Sequence, residues 1–302
     1  MADSSPDPSL GSDLSRGPEP GFEEVRAATG PPVAPEAWLG EQVERLVNER
    51  RVSDRAGTPV IVGVAGSVAV GKSRLAVDMA ETMSVRSPGC RTVVVATDSF
   101  LLPNLELERL GLSMRKGFPE SFDYSAMHGA ISALRQGRVV KVPEYSHVSY
   151  DIVPGEFTTI DHPTLVIIEG VNALQPPPGR GVEVPLTDAV ADLVDLGVYL
   201  DADPSDIETW FVDRFLRMCA QARDDREDLK RLGQQSAGSQ RVGFYAGFAG
   251  IDPSAIRSIA EWTWSEINEP NLRGYIEPSR SVADVIIEKG PDHRIRRVFT
   301  RS

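Results

Sequence analysis

Five short runs of β-branched and aliphatic residues recur along the chain without polar alternation: Val60 to Ala65, Thr92 to Thr97, Thr164 to Ile168, Leu196 to Leu200 and Val285 to Ile287. A strand with one wet face alternates apolar and polar positions, so unbroken runs predict strands covered on both faces, as in a parallel sheet flanked by helices. Ahead of the first run, Trp38, Val43, Leu46 and Val47 recur at helical spacing and predict one amphipathic helix over 36–51. Further helix starts are predicted at Asp203-Pro204 and Asp252-Pro253. In each, the aspartate accepts the first free N–H groups and the proline takes the position that needs no donor. The expected fold class is α/β, a doubly wound and mainly parallel sheet, in a single domain over 36–302. Residues 1–35 are dominated by Ser, Pro, Asp, Glu and Gly and are expected to form a disordered acidic tail. The stretch from Gln221 to Gly243 is polar with little periodicity, and a mobile loop or lid is expected there.

Composition narrows the partners. The chain has 302 residues, 41% hydrophobic and 25% charged, enough for a sizeable core. A formal net charge of -12 repels polyanions, so nucleic acid is not an expected partner. Two cysteines, Cys90 and Cys219, stand in no metal-ligand spacing and fit a reducing compartment. With no apolar run near the roughly 18 residues of a membrane span and no signal-peptide pattern, a soluble cytoplasmic protein without a membrane partner is expected.

Directly after the first predicted strand stands Gly66-Ser67-Val68-Ala69-Val70-Gly71-Lys72-Ser73, a full match to the phosphate-binding pattern G-x-x-x-x-G-K-[ST], leading into a helix that begins near Lys72. The glycines let backbone N–H groups wrap phosphates, the Lys72 amine reaches the β and γ phosphates, and the Ser73 hydroxyl ligates Mg²⁺. The helix N-terminus adds a favourable dipole for an anion. The pattern implies a P-loop nucleotide-binding fold, and ATP with Mg²⁺ are the expected cofactors. The chain contains no Asn-Lys pair for reading guanine and no Leu-Ser-Gly-Gly transporter signature, so adenine is the expected base. The second strand runs into Asp98-Ser99-Phe100 and the third ends in Glu169-Gly170. Ligands of open α/β sheets bind at the carboxyl ends of the strands, so both acids are expected to face the γ phosphate, one as base and one toward the metal.

Five segments, in order, resemble the motifs of bacterial type I pantothenate kinases: the P-loop itself, Thr97-Asp98-Ser99-Phe100-Leu101-Leu102-Pro103-Asn104, Lys116-Gly117-Phe118-Pro119-Glu120-Ser121-Phe122-Asp123, Tyr145-Ser146-His147-Val148-Ser149-Tyr150-Asp151 and Ile168-Glu169-Gly170-Val171-Asn172-Ala173-Leu174-Gln175. The likeness is strong from Val60 to Gln175 and resumes more weakly from Leu196 to His293. It implies a P-loop kinase that transfers the γ-phosphate of ATP to the hydroxyl of a small alcohol, pantothenate or a similar compound, in a homodimer. It also implies Asp98 as the base, Lys72 and Arg214 as catalytic cations, and Ser73 with Glu169 at the metal. The nucleotide would lie along Gly66 to Arg74, its adenine on His293. Lys116, Tyr145, His147, Tyr150 and Asn271 would line the acceptor pocket.

The departures from that family's pattern cluster at the acceptor. Phe211 stands where the family has a tyrosine, Met218 replaces a phenylalanine, and Phe244-Tyr245-Ala246-Gly247-Phe248 lacks a histidine-asparagine pair. Tyr275 takes the place of a second asparagine. These changes remove polar contacts to the acceptor while sparing the phosphate loop. They leave open a kinase of another small metabolite (a nucleoside, a sugar or a specialised alcohol) and, in a different class, a nucleotide-binding regulator without turnover.

Overall fold

The computed structural model describes residues 20–25, 35–175, 190–231 and 243–302. Its strands are β1 (Phe22–Glu24), β2 (Val60–Gly66), β3 (Thr92–Ala96), β4 (Val140–Ser146), β5 (Asp151–Ile160), β6 (Leu165–Glu169), β7 (Leu196–Asp201), β8 (Val285–Lys289) and β9 (Ile295–Arg301). The helices are α1 (Pro35–Arg51), α2 (Lys72–Arg86), α3 (Asn104–Arg109), α4 (Tyr124–Arg135), α5 (Pro204–Arg231) and α6 (Pro253–Thr263).

Seven strands form one sheet in the order β1-β9-β8-β7-β2-β6-β3, and β4 and β5 pair apart as an antiparallel hairpin. The five runs predicted from their unbroken apolar pattern are the five strands that pair in parallel: β3 with β6, β6 with β2, β2 with β7, and β7 with β8. The central strand β2 is buried along its whole length, as is β6. Helices α1 and α2 pack on each other and on this sheet. Leu39, Val43 and Val47 of α1 and Leu75, Ala76, Met79 and Met83 of α2 enter the same core as the strands. Asp252 and Asp203 cap their helices as the sequence predicts, accepting the backbone N–H groups of Ser254 and Ser205 at 2.9 Å each. A second, smaller apolar cluster stands apart from the sheet core. It comprises Val212, Phe215, Cys219, Ile256 and Ala260, where α5 meets α6, with Tyr245 and Phe248 packed against it.

The structure differs from the sequence expectations in two segments. Within the expected tail, Phe22–Glu24 adds a strand to the edge of β9, and Phe22 is buried against the core with the Arg301 guanidinium over its ring. The one large aromatic of that stretch finds an open sheet edge, which offsets the entropy of ordering three residues. The helix α5 carries on through Gln221 to Arg231, so the first half of the expected loop is helical; the rest, 232–242, lies outside the described residues. A polar composition gives no apolar period to read, so periodicity does not announce the end of α5.

Near the carboxyl end of the sheet, Arg280 is 3% exposed and donates to Asp201 at the end of β7, N to O 2.9 Å. Arg280→Ala removes this charge-assisted hydrogen bond and is expected to lower stability by about 1.5–3 kcal/mol, measured as a fall in the denaturant midpoint with an unchanged slope.

Candidate functional site

The carboxyl ends of β2, β3, β6 and β7 converge at one edge of the sheet, and the candidate site is built there. The chain leaves β2 through Gly66 with φ 142°, passes Ala69 at φ 60° and enters α2 through Gly71 at φ 100°. An added Cβ on Gly66 would lie 2.5 Å from the Leu200 carbonyl oxygen of the neighbouring strand, so only glycine fits that position. Ser67, Val68, Ala69 and Val70 thus curl over the start of α2, whose first turn contains no acidic residue to compete for its free N–H groups. The Lys72 amine crosses the loop and donates to the Ser67 carbonyl at 2.7 Å, tucked inside the cradle rather than standing in solvent. Burial pushes its pKa down, opposed by Glu169 and Asp98. Arg74, one residue past Ser73, turns along the helix surface to pair with Asp78 at 2.9 Å.

The two acids stand where the strand ladder puts them. Ala96 and Glu169 are register partners across β3 and β6, so Asp98, on the turn of 3₁₀ helix that follows β3, faces the end of β6. Glu169 is 9% exposed and accepts a hydrogen bond from the Ser73 hydroxyl at 2.8 Å. Beside it, the Thr97 hydroxyl is fully buried with no partner, and it packs so closely on Gly170 that any Cβ there would overlap it. Among the described residues no group of three His, Cys, Asp or Glu forms a ready-made cation cage. A hydroxyl and a carboxylate beside a phosphate loop do fit Mg²⁺, which keeps waters and substrate oxygens in its octahedron and needs few protein ligands.

The hairpin β4–β5 reaches over the site and carries Tyr145, His147 and Tyr150 at its tip. Its register shifts between Pro143 and Tyr145, which re-aims the tip. Tyr150 has φ 58°, a conformation rare for a bulky side chain. Its carbonyl is held from two sides, by the Lys116 amine and by Asn104 Nδ2 at 3.1 Å. Asn104 Oδ1 also accepts from Lys116 at 2.7 Å, and the lysine amine lies 5.4 Å and 5.1 Å from the Tyr145 and Tyr150 ring centres. The Asp98 charge acts on Lys72, Lys116, Tyr145 and Tyr150, and Arg214 acts on Lys72 and Tyr150, so these six groups share one space. Burial pushes the Lys116 amine down and both phenols up. His147 is exposed, with its ring edge-on to Tyr145 at 5.2 Å. Asn271 sits between two π-helical turns, Trp264–Asn268 and Leu272–Ile276, a distortion frequent at functional sites. It donates to the Gly117 carbonyl at 2.9 Å, while its own carbonyl oxygen is buried and unpartnered.

His293 lies on the turn between β8 and β9 with φ 63°, and its ring stacks on Trp210 of α5 at 4.0 Å. The Trp210 indole also donates to the Pro291 carbonyl at 3.1 Å, fixing the turn. Desolvation and the nearby Lys289 charge push the imidazole pKa down. Sequence reasoning missed Trp210, Asn104, Lys289 and Tyr245. Lys289 ends β8 and donates to the Val70 carbonyl of the phosphate loop at 2.9 Å, a contact across 219 residues that no local pattern announces. Phe211, expected to remove a hydroxyl from the acceptor pocket, packs against Phe215 and Trp264 at 6.1 Å and 6.0 Å between ring centres.

Comparison with known proteins points the same way as the geometry. Residues 61–227 match the Phosphoribulokinase / Uridine kinase family. A pantothenate kinase of Sinorhizobium fredii is 39% identical over 266 residues, 87% of this chain and 74% of that protein. One from Leifsonia xyli is 40% identical over 261 residues, 86% of this chain and 75% of that protein. Among solved structures, a D-glycerate 3-kinase from Cryptococcus neoformans superposes with a TM-score of 0.56 at 14% identity, over 87% of this chain and 98% of that one. At that identity the likeness speaks for the fold alone.

Proposed function

The chain belongs to the phosphoribulokinase and uridine kinase family of P-loop kinases, alongside its pantothenate kinase relatives, and we infer that it transfers the γ-phosphate of ATP to the hydroxyl of pantothenate. The observation that carries this reading is the meeting of a complete phosphate loop, the Ser73–Glu169 hydrogen bond and the Asp98 carboxylate under a hairpin of polar aromatics. In this reading ATP binds with its phosphates along Gly66 to Ser73 and its adenine against His293. Ser73 and Glu169 would hold Mg²⁺, which would supply charge neutralisation at the phosphates.

The chain's own groups do the rest by positioning and charge. Lys72 leaves the Ser67 carbonyl for the phosphate oxygens, exchanging a neutral partner for an anionic one. Asp98 accepts a hydrogen bond from the acceptor hydroxyl, aims its oxygen at the γ phosphorus and takes the proton as the new P–O bond forms and the bond from the γ phosphorus to the β–γ bridging oxygen breaks, releasing ADP. Arg214 follows the charge on the moving phosphoryl group. Lys116, Tyr145, His147, Tyr150 and Asn271 bind the acceptor's remaining polar atoms. The buried, unpartnered Asn271 oxygen is a ready acceptor for an N–H or O–H there.

The test is ADP release from the purified chain with pantothenate and a panel of other small alcohols. Turnover strongest on pantothenate is expected, and preference for a sugar or nucleoside would overturn the substrate while sparing the chemistry. A related outcome is expected at Phe211. Phe211→Tyr restores the hydroxyl that the resemblance implies at the acceptor and should lower the KM for pantothenate about fivefold, the equivalent of one hydrogen bond of ~1 kcal/mol. The KM for ATP in the same assay should stay constant.

A further inference from the structure

Asp98 and Glu169 flank one tight contact. Asp98 follows Thr97 at the end of β3 and Glu169 precedes Gly170 at the end of β6, so Thr97 and Gly170 stand one step past the last register pair of the two strands, Ala96 and Glu169. Neighbouring strands ordinarily lie roughly 4.8 Å apart. Here a Cβ built on Gly170 would fall 2.8 Å from the Thr97 Cβ and 1.7 Å from its Oγ1, so the strand ends pinch together just where the acids stand. Gly170 has no positive φ that would demand glycine, so what its position demands is the missing side chain. The Cα hydrogen that takes the place of that side chain points at the Thr97 oxygen, a weak contact of a kind recurrent between adjacent strands. The oxygen is fully buried and has no N–H or O–H partner, a cost that a residue chosen for stability alone would not carry. Beyond Asp98 the turn is pinned a second time, at the Phe100 carbonyl, which accepts from the Asp123 N–H at 2.8 Å.

Resting on the kinase reading above, we propose that Thr97 is a positioning residue for phosphoryl transfer: its oxygen, seated on the bare Cα of Gly170, sets the separation of the Asp98 and Glu169 carboxylates. The two acids must be fixed relative to one another, because the first aims the acceptor oxygen and the second stands where the phosphates are held. Like charges repel, so their spacing needs a stop in the scaffold that carries them. An oxygen suits that stop because it is smaller than a methyl group. Valine keeps the branched outline but puts a methyl in its place, which would wedge the strand ends apart. Thr97 is sealed from solvent and acts only through the residues beside it.

The experiment compares Thr97→Val and Thr97→Ser with the parent chain. It reads kcat and acceptor KM at saturating ATP, the Mg²⁺ needed for half-maximal ATP binding by calorimetry without acceptor, and the melting temperature. Thr97→Val should lower kcat about 10- to 100-fold and raise the Mg²⁺ requirement about tenfold, with the acceptor KM unmoved. Thr97→Ser keeps the oxygen and should recover most of both losses. A merely structural role would lower the melting temperature and leave the kcat of the folded protein and its Mg²⁺ requirement where they were. Gly170→Ala strikes the contact from the other side, and Thr97→Ala in the same chain removes the oxygen it meets. The double variant should therefore be less impaired than Gly170→Ala alone. Should Gly170→Ala not fold, the valine and serine variants decide. A parental kcat or an unmoved Mg²⁺ requirement in Thr97→Val, or a serine variant no better than the valine one, overturns the proposal. If the parent binds ATP with Mg²⁺ but releases no ADP with any alcohol, the kinase reading fails and the binding measurement decides Thr97 separately.

Discussion

Replacing Lys72 by alanine abolishes phosphoryl transfer while leaving the fold in place. The amine's one hydrogen bond is to the Ser67 carbonyl, and the side chain is held in a loop that costs it hydration. Such a lysine adds little to stability, because desolvation offsets much of what its neighbours return. With phosphates bound the balance reverses, since the amine then meets two or more anionic oxygens in a water-poor cradle, where each charge-assisted bond is stronger than a neutral one. A fall in kcat/KM of about 10³-fold or more is expected, with a melting temperature within a degree or two of the parent. Lys72→Arg should not rescue it, because the planar guanidinium does not fit a cradle closed by Ser67 and Gly71. Retained turnover in the alanine variant would remove the phosphate loop from the reaction altogether.

Asp98→Asn is expected to lower kcat by about 10² to 10⁴-fold with little change in ATP affinity. The amide keeps the shape of the carboxylate on its 3₁₀ turn and can still accept a hydrogen bond through its oxygen, but it cannot take the proton as the alkoxide forms. The comparison that gives the result its meaning is Glu169→Gln. Glu169 already bonds Ser73, so its loss should weaken nucleotide binding and its magnesium dependence first. If instead Asp98→Asn collapses ATP binding and Glu169→Gln spares it, the two acids have exchanged roles. Titrating Mg²⁺ against both variants separates the cases.

The parallel sheet was legible because buried strands cannot alternate. Val60 to Ala65 and Thr164 to Ile168 have no polar side to hide, and a run of that length bounded by glycine or acid has few other readings. Both acids were legible for a related reason, since a charge directly after such a run must lie at the strand's end, outside the core. The hairpin was not read as strands. Val140–Ser146 contains a proline and a glutamate, β5 is exposed through most of its length, and the pair stands off the sheet, so neither burial nor periodicity marks it. The short β1 has one buried side chain to announce it. The acceptor side was read only as a set of losses, Phe211 foremost, because resemblance compares like positions. Tyr245 comes to Tyr150 from nearly a hundred residues away, and nothing near it in sequence says what it will touch.

The small apolar cluster between α5 and α6 divides the molecule's evolutionary prospects. Phe215 and Tyr245 belong to it, whereas the phosphate loop and both acids hang from the large sheet core. A substitution among Val212, Phe215, Cys219, Ile256 and Ala260 disturbs a few neighbours and leaves the strands under the nucleotide untouched. Substitutions there can therefore accumulate one at a time while the phosphate loop keeps its packing. Change at β2 has no such latitude, because that strand is covered on both faces and ends in the loop itself. Libraries confined to those few positions would vary the α5–α6 side of the molecule while the phosphate loop keeps its support.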